Sequence, residues 1–84
     1  MPRDPIVERY TPKEGQYLAF IYYYAKIHGC APSEADMQLY FRVTPPVVHQ
    51  MVVRLTTKRL IDREPGVART IRLLLSRQEL PDLE

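Results

Sequence analysis

Cysteine is nearly absent from this chain: Cys30 stands alone, so no intramolecular disulfide is available. With only two scattered histidines beside it, it does not supply a usual zinc-ligand set. Glycine is scarce too, three residues against eight prolines, which argues for sharply delimited elements and not for floppy linkers. No window approaches the roughly 20 apolar residues of a membrane span, and no basic start leads into an apolar run as in a secretory signal. Paired carboxylates, a Gly-rich phosphate loop and a nucleophile–base spacing are missing as well, so the sequence reads as a non-enzyme. The expectation is a cytoplasmic protein without metal or cofactor.

Eighty-four residues fit one domain. At this length folding buries only about 60% of the chain's surface, too little for an enclosed multi-residue active site. The composition, 45% hydrophobic and 26% charged, is that of a globular chain.

The net charge of +2 is unevenly spread. Between Arg42 and Arg72 seven basic residues (Arg42, Arg54, Lys58, Arg59, Arg63, Arg69, Arg72) face only Asp62 and Glu64, a surplus of five. The rest of the chain is negative by three, and Glu79, Asp82 and Glu84 make its end acidic. A positive block inside an otherwise negative chain is the footprint of a polyanion-binding surface.

Local signals divide the chain into an arm (1–10), a folded body (11–75) and an acidic tail (76–84). Thr11-Pro12-Lys13-Glu14 is a capping box with proline at the first helical position, Leu18, Ile21, Tyr22 and Ala25 follow at helical spacing, and Gly29 is a natural stop. The spacing predicts helix one over 12–28. Ser33 and Asp36 form a second capping box before an apolar two-turn helix reaching about 41, and Arg42-Val43 is a short turn. Thr44-Pro45 starts helix three, whose stripe Val48, Met51, Val52 and Leu55 runs at i, i+3, i+4 and i+7 to about 58. Its other side carries Pro46, His49, Gln50, Val53, Arg54 and Thr57. The period then changes to two. Strands over 60–63 and 69–73 flank a Pro65-Gly66 turn and read as a hairpin.

Three helices followed by a hairpin give a mainly α fold with a small β-hairpin, the order of a winged helix-turn-helix. In that architecture the third helix enters the major groove of double-stranded DNA and the wing touches the backbone. The start of helix three would turn backbone N–H groups and a positive dipole end toward phosphate. Gln50 can pair bidentately with adenine, Arg54 can reach guanine or phosphate, and Thr44 can donate to either. Arg63, Arg69 and Arg72 would hold phosphates without reading sequence. Lys58-Arg59 either clamps phosphate or complements the helix's negative end, and the sequence leaves both open. His28 reads as a dipole-favoured cap, Ser33 as a cap and Cys30 as a turn residue.

Helix one is apolar on two sides. Phe20, Tyr23 and Ile27, flanked by Tyr17 and Tyr24, lie nearly opposite its core stripe and call for a second covering surface. A homodimer contact, helped by Leu80 and Leu83, is one answer; coverage by the chain's own tail is the other. A competing functional reading makes this face the binding surface of a protein-interaction module.

Several stretches resemble the N-terminal DNA-binding domain of the LexA repressor family: Tyr10-Thr11-Pro12-Lys13, Ala31-Pro32-Ser33-Glu34-Ala35-Asp36-Met37, Thr44-Pro45, Leu55-Thr56-Thr57-Lys58-Arg59-Leu60-Ile61, and Gly66 onward to Ile71-Arg72-Leu73-Leu74. The resemblance covers about residues 10–75. It implies a winged helix that binds DNA through helix three, and it places Pro46, Val47 and His49 in the contacting stretch beside Gln50. Two departures stand out. Where the family opens its recognition helix with Ser-Pro-Asn-Ala, this chain has Thr44-Pro45-Pro46-Val47, so no side-chain amide stands at the asparagine position. The sequence also ends at Glu84, from which the family's self-cleaving half is expected to be missing.

Overall fold

A computed structural model describes residues 9–84. Most of the arm expected over 1–10 lies outside the described residues.

Helix α1 spans Pro12–His28. The Thr11 hydroxyl accepts from the Glu14 N–H (3.1 Å) while Glu14 Oε1 accepts from the Thr11 N–H (2.9 Å), so two N-terminal donors are satisfied reciprocally. Gly29 ends the helix in the left-handed region (φ 74°) and donates its N–H to the Ala25 carbonyl. Helix α2, Glu34–Phe41, repeats the device with Ser33 and Asp36. Helix α3, Pro45–Thr57, starts differently. Thr44 occupies the cap position, but its side chain makes no capping bond.

The hairpin is shorter than its periodicity implies. β1 (Ile61–Asp62) pairs antiparallel with β2 (Arg72–Leu73), Ile61 opposite Leu73 and Asp62 opposite Arg72. Arg69 breaks the expected 69–73 strand because its φ of 62° is not extended. Thr70 also turns its hydroxyl inward, receiving the Glu64 N–H (2.9 Å) and meeting the Val67 carbonyl (3.0 Å). Residues 63–71 therefore form a structured loop. Three helices and this two-stranded wing make a winged helix-turn-helix.

The helices and wing close over one cluster: Leu18 and Ile21 of α1, Met37 of α2, the Val48–Met51–Val52–Leu55 stripe of α3, and Leu60, Ile61 and Ile71 of the wing. The C-terminal segment, which includes a 3-10 turn at Arg77–Glu79, folds back on this body. Leu80 is buried, the Gln16 amide exchanges bonds with the Asp82 carbonyl and the Glu84 N–H, and Tyr40 donates to the Glu84 carbonyl. Gly15 allows this approach: a Cβ there would stand 2.9 Å from the Tyr10 ring and 3.0 Å from Pro81.

The second face of α1 is covered mostly from within. Tyr17 is buried and stacks on Phe41 (centroids 4.0 Å, interplanar angle 14°), and Phe20 is buried against Tyr40 and Phe41. Neither has surface left to offer a partner, because α2 supplies the aromatic lid that the sequence pattern called for. Tyr23 and Tyr24 are half-buried, their hydroxyls taken by Arg77 (2.9 Å) and Arg69 (3.2 Å). Of the five residues assigned to a dimer face, Ile27 alone is exposed.

Candidate nucleic-acid interface

α3 is divided lengthwise. Val48, Val52 and Leu55 are fully buried and Met51 nearly so, while Thr44, Pro46, Val47, His49, Gln50, Val53 and Arg54 are exposed. Thr44 and Gln50 have no side-chain partner among the described residues. His49 Nδ1 lies 3.4 Å from the Glu34 carboxylate at the start of α2.

One expectation is cut back by elementary chemistry. Pro45 and Pro46 carry no N–H, and the Val47 N–H donates to the Thr44 carbonyl (3.1 Å), so at the start of α3 only the Thr44 N–H is left to offer a phosphate.

The rear of α3 is anchored to α1 through Glu14, a carboxylate only 1% exposed. Lys58 Nζ stands 2.8 Å from Glu14 Oε1 and Arg54 Nη1 3.6 Å from Oε2. Burial alone would raise the Glu14 pKa. The Lys58 bond, the Thr11 N–H and the charges of Lys58 and Arg54 together outweigh it and hold the carboxyl below its ordinary value. Lys58 is thus neither a free phosphate clamp nor a simple dipole partner. It is one half of an inter-helix ion pair.

The wing arginines differ from one another. Arg69 reaches across to the α1–α2 junction, where Nη1 meets the Ala31 carbonyl (3.1 Å), the Tyr24 hydroxyl (3.2 Å) and Asp36 Oδ2 (3.2 Å). The Ser33 N–H, followed by the Ser33 hydroxyl, the Tyr24 hydroxyl and the Arg69 charge, keeps Asp36 ionised below its usual range. Arg72 Nη2 pairs with Asp62 Oδ2 (2.8 Å) on the neighbouring strand, where that bond is the chief reason the Asp62 pKa is low. Arg63 is half-buried, with its Nε enclosed and without a hydrogen-bond partner among the described residues.

Glu34, bonded to His49 of α3, also lines a groove with Arg63 and Arg69, which sets the front of α3 and the wing loop on either side of the α2 start. Arg72 borders a second groove with Thr56, Thr57 and Arg59 at the rear of α3. Sequence reasoning missed Glu14, Asp36 and Asp62 as partners of the basic residues; only Glu14 and Asp36 gave a local signal, as the acidic ends of capping boxes.

No protein-family model matches the chain. The LexA repressor of Thermosipho melanesiensis is 36% identical to it over 73 residues, 87% of this chain. The chain carries a LexA N-terminal-like domain. It spans about a third of that relative's length (36%). The departure at Pro46 is the same residue that strips the front of α3 of its second N–H. Among the described residues no group of His, Cys, Asp or Glu is arranged to hold a metal ion, and no helix is long and apolar enough to cross a membrane.

Proposed function

We propose that this chain binds double-stranded DNA as a transcription regulator of LexA type, with the outer face of α3 in the major groove and the wing beside the phosphate backbone. The observation that carries the reading is the split of α3. Its inner stripe is locked in the core, while the outer side exposes Thr44, His49, Gln50 and Arg54 among Pro46, Val47 and Val53. Of the basic residues from Arg42 to Arg72, Arg54 lies on this helix, Arg42 precedes it, Lys58 and Arg59 follow its end, and Arg63, Arg69 and Arg72 belong to the wing. Likeness to a protein named a repressor supports the same assignment.

In this reading Gln50 contacts a base edge and Arg54, half-exposed beside Glu14, turns outward to a guanine or a phosphate. Thr44, Pro46, Val47 and His49 shape the leading end, and Arg63 and Arg72 approach phosphates. Titration of a DNA duplex at two salt concentrations tests it. Affinity is expected to fall steeply, log K dropping by about 0.9 per phosphate contacted for each tenfold rise in salt. Absence of binding at low salt would reject the proposal and leave the protein-interaction reading standing.

A further inference from the structure

Three non-glycine residues among those described have positive φ, and all three are arginines: Arg42 (56°), Arg59 (61°) and Arg69 (62°). For a side chain with a Cβ this region is strained. Arg69 has an evident reason, since its guanidinium ties the wing loop to Ala31, Tyr24 and Asp36. Arg42 and Arg59 have none among the described residues. Both are exposed, and neither guanidinium has a partner among the described residues.

Their positions are those where glycine ordinarily serves. Arg42 is the left-handed cap of α2. Arg59 follows the end of α3, where the Leu60 N–H returns to the Leu55 carbonyl, a closure usually built on glycine. The two residues therefore bracket α3, one before its first turn and one after its last. A helix of 13 residues is roughly 20 Å long and the major groove about 12 Å wide, so cations at both ends of such a helix reach the phosphates on either side. The front end has particular need of one, because Pro45 and Pro46 remove the N–H donors that a helix start normally offers to an anion. At the rear, Arg59 shares a groove with Arg72, and its carbonyl accepts a bond from Arg9 (3.4 Å); Asp62, the acid in that groove, is already paired with Arg72.

We propose that Arg42 and Arg59 are phosphate-binding residues that fix the two ends of α3 on the DNA backbone, their strained backbone being retained for the charge they carry. This rests on the DNA-binding reading above. The test measures thermal unfolding and salt-dependent duplex binding for the wild-type chain, Arg42→Gly, Arg59→Gly, and the charge-preserving Arg42→Lys and Arg59→Lys. Each glycine variant is expected to raise Tm by about 5 °C through relief of strain. Each should also weaken specific and random duplexes alike and lower the salt slope by about 1. The lysine variants should keep the wild-type slope. Glycine variants that bind with an unchanged slope, or that melt lower than wild type, overturn the inference while leaving DNA binding intact. A wild-type chain without salt-dependent binding removes the functional proposal itself, and this inference with it.

Discussion

α3 meets the rest of the molecule differently at its two ends. At the front, Thr44, Pro46, Val47 and Gln50 face solvent, with His49 held only loosely by Glu34 at 3.4 Å. At the rear, Arg54 and Lys58 converge on Glu14, a carboxylate buried in α1. The difference separates two tasks that one helix must perform. The front is free to fit whatever it meets, whereas the rear is fixed against the body so that the front is presented at a defined angle. A basic residue counted in the sequence is consequently not the same as a basic charge on offer.

The largest effect should come from the rear core. Leu55→Ala removes a fully buried side chain and is expected to cost about 3 kcal/mol, while Val53→Ala on the outer side should stay within about 0.5 kcal/mol. Urea unfolding of the two proteins measures the contrast, and equal losses would show that α3 is not divided as described.

Glu14→Gln comes next. The amide keeps the shape but gives up the charge facing Lys58 and Arg54, for an expected loss of about 2 kcal/mol, moderated because both cations are partly in water. Its pH dependence has a defined sign. The folded-state pKa of Glu14 lies below its ordinary value of 4.5, so its contribution is complete above about pH 4.5. It is lost as pH falls through the lower folded value. Asp36 behaves alike, so wild-type stability should hold from neutral pH to about 5 and then decline. Unfolding midpoints across pH 2–7 should show a shallower acid decline in Glu14→Gln, and parallel curves would remove Glu14 from this role.

What the sequence discloses follows from the same contrast. The helix boundaries were readable because their causes are local: Thr11 with Glu14, Ser33 with Asp36 and Gly29 at a stop all act within a few residues. The core stripe of α3 was readable because spacing alone defines a face. The charge partners were not, since Lys58 and Glu14 are 44 residues apart and Arg69 reaches Tyr24 across 45. The hairpin was overdrawn for a related reason. Alternation at Thr70, Ile71 and Arg72 is a genuine two-residue period, yet it carries no trace of the left-handed φ that Arg69 adopts to make its clasp. Helix one shows a mixed case: its second apolar face correctly demanded a cover, but only the fold reveals that Phe41 and Tyr40 provide it.

At the front of α3 a smaller effect is expected, and on a different observable. Gln50→Ala removes an exposed side chain without a partner among the described residues, so its unfolding midpoint should match wild type. If Gln50 reads a base edge, affinity for a selected duplex falls by about 1–2 kcal/mol while affinity for random DNA is unchanged. Equal losses on both duplexes would assign the front of α3 to backbone contact alone.

The wing sharpens the comparison at the smallest scale, because two of its arginines are bound in unlike ways. Arg69 connects the loop to three groups on other elements, so Arg69→Ala should speed amide exchange across residues 63–71 before it affects global unfolding. Arg72 pairs with Asp62 on the adjacent strand, and both side chains are largely exposed (71% and 49%). An ion pair so open to water adds little to folding, and Arg72→Ala should leave both exchange and melting as they were. Its effect should instead appear in DNA binding, as a loss shared by selected and random duplexes with a salt slope lower by about 1. An Arg72→Ala chain that exchanges faster across the wing but binds DNA at the wild-type slope would reverse the assignment, making Arg72 the structural arginine of the pair.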